Sequence, residues 1–365
     1  MQERKVIYLT YFQNYSAPPH KNQVKPSTIK PKSVLPKIPS LASSPLSKNS
    51  VMNRRQEFLT EARYFDFLDY SEETKEFWVS NTFESDTPEQ EASLRATHLK
   101  NVALKKLFIS YTAGLEATSL VPLLEELITH YENRQEELSL SENMADISPL
   151  AIDDWLDEYE ECIQIISLCI LLRRTDLLKR LVELFDKAGY NGQDALYEDL
   201  LCKVLPDRED IDDWYHEVYT PLLQAIYADE KDEASDLLAE YCKEWYPAFK
   251  HAPWHDSHLQ GDEGSYVGYW AFEAGAVAFL YGIDDRKINH MVYPKDLVEY
   301  ARGHTTSDKN NTINRIEAGQ PCSKTGFWFT PAQENSRRHF QQGEIFPDIT
   351  DSRWGDTLWH WSGEE

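Results

Sequence analysis

SPLAIDDWLDEYEECIQIISLCILLRRTDLLKRLVELFDKAG, residues 148–189, decides the fold class. It reads as two helices, the first with Ser148 as N-cap and Pro149 at its first position, the second ending near Gly189. The apolar run within it, CIQIISLCILL, is shorter than the roughly 18 consecutive apolar residues of a membrane span and carries Gln164 and Ser167. A buried helix of a globular core is the reading that fits.

The same texture extends in both directions. Upstream, NRRQEFLTEARYFDFLDYSEETKEFW (53–78) repeats apolar residues at three and four: Phe58, Leu59, Ala62, Phe65, Leu68. THLKNVALKKLFISYTAGL (97–115) continues with Leu99, Val102, Ala103, Leu107 and Tyr111, and LVPLLEELITHY (120–131) follows. Downstream, residues 190–206 read as a short helix, and residues 214–249 as two helices around a turn at 229–232. HAPWHDSHLQGDEGSYVGYW (251–270) is a loop that enters the helix WAFEAGAVAFLYGI, and PKDLVEYAR (294–302) closes the series. Paired helices suggest a solenoid, but no sequence period relates them, so stacked bundles are the better expectation.

Beyond position 302 the pattern breaks. GHTTSDKNNTINRIEAGQ (303–320) reads as a polar linker, and the Gly- and Pro-punctuated stretch to position 361, with FWF, EIF and TLWHW, predicts two or three short strands. At the other end, residues 17–50 are rich in Pro, Ser and Lys without any period, which predicts an unstructured tail. That tail is either a basic arm or a stretch upstream of the true start. Met52, which opens MNRRQEFLTEARYF, favours the second. The expected fold is mainly α. It comprises a tail at 1–52, helical bundle domains at 53–190 and 191–302, and a linker with a small β-containing C-terminal module at 303–365.

Charge narrows the function. The net charge is −25, and residues 1–52 hold eight Lys or Arg against one acid, which leaves −32 on the rest. Nucleic-acid binding needs a basic footprint, and the bulk of the chain lacks one. The 12% aromatic content, with ten Trp and twenty Tyr, marks the acidity as that of a folded object rather than a disordered acidic chain. An acidic surface favours a basic partner and speeds encounter with it. The five cysteines are odd in number and contain no CxxC, so neither a disulfide framework nor a structural zinc site is expected, and a reducing, cytoplasmic setting fits. The start of the chain has no clean apolar core with a cleavage site, so no signal peptide is read there.

No motif supports catalysis or a cofactor: there is no G-x-S-x-G, no phosphate loop, no GxGxxG. His251, His255 and His258 have helical spacing for a metal, but Pro253 interrupts them and Ala252 stands where a zinc helix carries Glu. The simpler reading is a polar loop with Trp254 turned into the core. The paired carboxylates Asp153–Asp154, Asp212–Asp213 and Asp284–Asp285 read as solvated faces or helix caps. More telling is the distribution: positions 144–240 hold 25 Asp or Glu against 8 Lys or Arg, densest in IDDWLDEYEE (152–161) and PDREDIDDW (206–214). Trp155, Tyr159, Trp214, Tyr215 and Tyr219 lie among these carboxylates. One or two of them are expected to touch a partner, and the rest to be core.

SYVGYWAFEAGAVAFLYGIDD (265–285) followed by YPKDLVEYAR (293–302) resembles the C-terminal domain of bacterial immunity proteins against PoNe-type DNase toxins. The family's Tyr-rich turn, W-x-x-E-A-x-A helix, I-D-D and Y-P-x-D-L-x-x-Y-A end appear as Tyr266, Tyr269–Trp270, Glu273–Ala274, Ala276, Ile283–Asp285 and Tyr293–Arg302. The block from RRQEFLTEARYFD looks like the matching N-terminal domain, so the resemblance spans residues 53–302. The stretch 319–361 is similar to a C-terminal module carried by several immunity proteins of polymorphic and type VI-secreted toxins. The resemblance implies a protein of the producing cell and its kin that is not an enzyme. It implies that the protein binds a cognate toxin and blocks its active site, which in a nuclease must be basic. The residues chosen for that contact are Asp207, Glu209, Asp210, Asp212 and Asp213, with Trp214 beside them. Two other readings stand next to this one: an acidic scaffold for another basic protein, and a metal-dependent enzyme built on His251–His258.

Overall fold

The computed structural model describes residues 52–361, apart from 83–84, 312–314, 331–332, 334–335 and 350–356. The expected tail, apart from its last residue, lies outside the described residues. Ten α-helices are formed among those described, followed by a small four-stranded antiparallel sheet. The chain is therefore mainly α with a small β extension.

The helices are α1 (Glu61–Ser80), α2 (Pro88–Thr112), α3 (Ala117–Glu142), α4 (Leu156–Leu171), α5 (Thr175–Lys187), α6 (Ala195–Cys202), α7 (Thr220–Tyr227), α8 (Lys231–Ala248), α9 (Phe272–Tyr281) and α10 (Lys295–Asn311). Their starts follow capping chemistry. The Thr60 hydroxyl accepts from Arg63 N at 3.1 Å, and Thr87 accepts from Gln90 N at 3.2 Å ahead of Pro88. Asp194 accepts from Tyr197 N at 2.8 Å to open α6. Gly189, at φ 95°, supplies the left-handed residue just beyond α5.

The quoted stretch forms the centre. From Tyr159 to Leu171 in α4, all residues but Glu161 are buried, and the helix packs against α5, α6, α9 and α10. A helix apolar on all sides has to be surrounded. Its start differs from the sequence reading. The Ser148 hydroxyl closes only a local turn with Leu150 N at 3.3 Å. Residues 149–155 then fold back so that the Glu158 carboxylate accepts from Ala151 N, and α4 begins at Leu156.

Close helix approach is built into α9. A Cβ added to Gly275 would stand 2.7 Å from Pro294 Cγ and 3.0 Å from Val298 Cγ2, atoms that lead into and line α10. One apolar core cluster runs from Leu59 through α4 to Ala301. The sheet has its own, made of Cys322, Trp328, Phe340, Phe346 and Trp359 with Ile316 against it.

Two boundaries depart from expectation at the C-terminal end. The helical backbone of α10 continues past Arg302 to Asn311, into the stretch read as linker. Among the described residues the strands number four rather than two or three: β1 (Arg315–Glu317), β2 (Gly326–Phe329), β3 (Arg338–Phe340) and β4 (Leu358–Trp361), in the order β1-β4-β2-β3. β1 escapes a local reading because its partner is far along the chain: Ile316 pairs with Trp359.

Candidate interaction surface

The stretch between α6 and the 3₁₀ turn Glu217–Tyr219 contains no helix, and its conformation is set by a few inward bonds. Asp207 adopts φ 58°, a left-handed conformation that Asp tolerates better than most side chains. The chain reverses there and Arg208 turns into the protein, where its side chain is only 6% exposed. Its guanidinium donates to both oxygens of Glu198, at 2.8 and 2.7 Å, and to both oxygens of Asp186, at 2.7 and 3.3 Å. Glu198 is 1% exposed and also accepts from Gly192 N at 2.7 Å. The Arg208 pKa is raised further above its ordinary value by these hydrogen bonds, which outweigh the desolvation that acts first against them.

The far end is pinned as well. The Asp213 carbonyl accepts from Ala195 N at 2.8 Å, and Tyr215 N donates to Asp194 Oδ2 at 2.8 Å. Asp194 is itself buried and takes the Tyr159 hydroxyl at 2.6 Å on its other oxygen. Burial pushes the Asp194 pKa up, against the pull of these donors.

Held at both ends, the segment presents Asp207, Glu209, Asp210, Asp212 and Asp213 to solvent, all exposed. Trp214 is 39% exposed, with its indole N–H on Thr220 Oγ1 at 3.1 Å. The Glu209 side chain lies close to Gly192, where an added Cβ would stand 3.0 Å from its Cδ. All six residues chosen from the sequence thus lie on one short exposed segment. Of the five aromatics singled out with them, Tyr159 and Tyr219 are core, Trp155 and Tyr215 are half-buried, and Trp214 is the exposed one.

Residues 192–297 match the family model described as PoNe immunity proteins (PoNi), C-terminal. That stretch is similar to the C-terminal domain of PoNi proteins. The match points to a non-enzymatic inhibitor, and the exposed acidic segment lies inside the matched residues. No curated protein matches the chain. Among solved structures, protein PA2201 from Pseudomonas aeruginosa is similar at 20% identity and a TM-score of 0.56, over 70% of this chain and 93% of that one. At that identity the likeness is one of fold.

The residues that carry the PoNi motif build the fold. The Tyr266 hydroxyl and Tyr269 N both donate to Gln56 Oε1, and Gln56 Nε2 donates to the carbonyls of Tyr269 at 2.6 Å and Met291 at 3.0 Å. Trp270 Nε1 bonds Thr112 Oγ1 at 2.9 Å. Asp285 is buried between the Tyr293 hydroxyl and Arg302 Nη1, both at 2.7 Å. Glu273 accepts from Tyr241 and Trp245, each at 2.8 Å, and burial pushes its carboxyl up to about 7.

The other acidic run behaves unlike 207–213. In 152–161, Glu160 is buried, accepting from Trp254 Nε1 at 2.9 Å and Gln164 Nε2 at 2.8 Å, and burial raises its pKa far above the usual carboxylate range. Burial likewise pushes Glu158 up to about 7, and Glu161 binds Lys100 and the Tyr131 hydroxyl. Asp153 and Asp154 at the start of this run are exposed, so a charge count could not tell its inward carboxylates, Glu158 and Glu160, from the outward ones. The histidines disperse too: His258 Nδ1 meets the Tyr269 hydroxyl at 2.8 Å, His255 stacks on Tyr246 at 4.1 Å, and His251 is exposed. Among the described residues no group of three or more His, Cys, Asp or Glu is placed to share an ion. No helix among them is long and apolar enough to cross a membrane.

Proposed function

We propose that this chain is an immunity protein that neutralises a cognate PoNe toxin, a nuclease, by laying the segment 207–214 over the toxin's basic active site. A nuclease groove must carry cations to hold phosphates. A rigid row of carboxylates competes for the same cations and steers the encounter. The observation that carries the reading is the inward Arg208 within an otherwise outward acidic run. One buried guanidinium, shared by Asp186 and Glu198, fixes the backbone and leaves five neighbouring carboxylates unspent on internal pairs. Trp214 adds an exposed ring that can cover a guanidinium or an apolar rim. The chain would act in the cytoplasm of the producing cell and its kin, against a toxin delivered by a type VI or related route.

The test is co-expression in bacteria with the toxin domain encoded beside this chain's gene. The unaltered chain should restore growth, and a variant with the five acids replaced by Asn or Gln should not, although it accumulates to the same level. Full protection by that variant would remove the acidic segment from the mechanism.

A further inference from the structure

Two buried carboxyl groups of the core have no cation. Glu160 of α4 accepts from Trp254 Nε1 at 2.9 Å and from Gln164 Nε2 at 2.8 Å, one on each oxygen. Glu273 of α9 takes the Tyr241 hydroxyl and Trp245 Nε1, each at 2.8 Å, on Oε1, while its Oε2 is buried with no hydrogen-bond partner. The donors join the two groups, because the indoles of Trp245 and Trp254 stack at 5.0 Å with their planes 9° apart. Among the described residues no Lys, Arg or His bonds to either carboxyl. The buried acids Glu198 and Asp285 differ, since they hold Arg208 and Arg302. The neighbouring titratable groups offer no compensation. Asp157 and Glu161 share α4 with Glu160, Cys242 follows Tyr241 on α8, and Tyr219 packs on Phe249, whose ring is 5.1 Å from Trp245. The residues that α5, α7 and α10 bury are apolar, and of the acids buried in α6 Glu198 is held by Arg208 and Asp199 by Tyr227. His255 stands 6.0 Å from the Trp254 ring and has Asp256 at 3.7 Å from its Nε2.

We propose that Glu160 and Glu273 are carried as uncharged acids and act as a proton-dependent clasp on Trp254, which swings out and admits water as the medium turns alkaline. A carboxylate stripped of water and offered only neutral donors costs far more than the acid, so the group keeps its proton or draws water in. Water has one easy way to reach the pair. Of Trp254, Trp245, Gln164, Tyr241, Tyr219 and Phe249, Trp254 alone is half-buried. It lies in a stretch of turns with no helix or strand, fastened by Ala252 N to the Phe249 carbonyl at 2.9 Å and His255 N to the Ala252 carbonyl at 3.0 Å. The chain beyond is held separately, with the Tyr246 hydroxyl on Asp256 at 2.7 Å and His258 Nδ1 on the Tyr269 hydroxyl at 2.8 Å, so the movement is confined to residues 251–254. Burial pushes Glu160 far above the usual carboxylate range and Glu273 up to about 7. Both lie above their unfolded values, so the folded protein holds protons that the unfolded chain releases; the clasp is closed at acid pH and opens as pH rises through 7. A charge on Glu273 presses Glu160 to keep its proton, so one proton lost is enough to open it. The device does not depend on the toxin.

The experiment follows the full chain from about pH 6 to about pH 9 with two readouts, since this window spans the ionisation. Infrared difference spectra report protonated carboxyl groups directly and need no variant. Acrylamide quenching of the unaltered chain minus that of Trp254→Phe reports the exposure of Trp254. The expected result is a protonated-carboxyl band at the acid end that is lost towards the alkaline end, with Trp254 becoming quenchable over the same interval. Glu160→Gln and Glu273→Gln, which keep the acceptors for the two indoles, should each remove part of the band, and the double variant should keep Trp254 covered throughout. Absence of the band at the acid end, its persistence to the alkaline end, or its loss without any change at Trp254 would each overturn the proposal. So would an alkaline rise in quenching that the double variant retains.

Discussion

Replacing Arg208 by Ala should be among the most damaging single changes in this molecule, although the residue sits in a loop. Its guanidinium makes four bonds to Glu198 and Asp186, and the Tyr197 hydroxyl shares Asp186 at 2.9 Å. Without it Glu198, 1% exposed, keeps only the Gly192 N–H. Removing one partner of a buried pair costs about 3–5 kcal/mol, because the remaining charge is stranded rather than because the pair was worth that much. For a protein of this size that is roughly a 4–8 °C fall in melting temperature. The assay is urea unfolding with thermal melting of the unaltered protein, Arg208→Ala, Glu198→Gln and the double variant. The double variant should recover at least half of the loss, since the stranded charge is then gone. Toxin affinity should fall in Arg208→Ala although every segment acid is retained, because the backbone that presents them has lost its tie. A cost below about 1 kcal/mol, or no recovery in the double variant, would refute the reasoning.

Two further changes probe other parts of the account. Glu273 has its carboxyl pushed from an ordinary 4.5 up to about 7, so the folded state holds a proton that the unfolded chain releases; stability is full below pH 4.5 and falls as pH rises towards 7. That displacement corresponds to roughly 3 kcal/mol. Glu273→Gln, which keeps the acceptor for Tyr241 and Trp245, should flatten the profile of unfolding free energy between pH 5 and 8 by about that amount; parallel profiles would contradict the assignment. Gly275→Ala should cost about 1–3 kcal/mol in urea unfolding by driving a methyl against Pro294 and Val298, and an unchanged midpoint would show that the α9–α10 contact has slack.

Much of the helical architecture was legible because its signal is local. Spacing of three and four located α1 to α3, an unbroken apolar run located α4, and Gly189 ended α5. What was not legible depended on partners distant in sequence. The start of α4 is set by Glu158 folding back onto Ala151 rather than by the Ser148 and Pro149 that resemble a cap. β1 hides in a polar stretch because only its pairing with β4 makes it a strand. At the candidate site, composition located the acids and left their direction open. Glu158 and Glu160 face inward against Ala151, Trp254 and Gln164, while Asp207 to Asp213 face water. Arg208 entered the sequence reading only as a letter within PDREDIDDW. Its role emerges only when Asp186 of α5 and Glu198 of α6 are brought together.

The central claim is that the segment 207–214 is the toxin-facing surface, and binding as a function of salt tests it most directly. Titrating the neighbouring toxin against the unaltered chain from 50 to 500 mM NaCl should give affinity that falls steeply with salt, chiefly through slower association. The variant with Asp207, Glu209, Asp210, Asp212 and Asp213 neutralised should bind weakly with a much shallower dependence. Equal affinities and equal salt slopes for the two proteins would place the toxin elsewhere on the molecule.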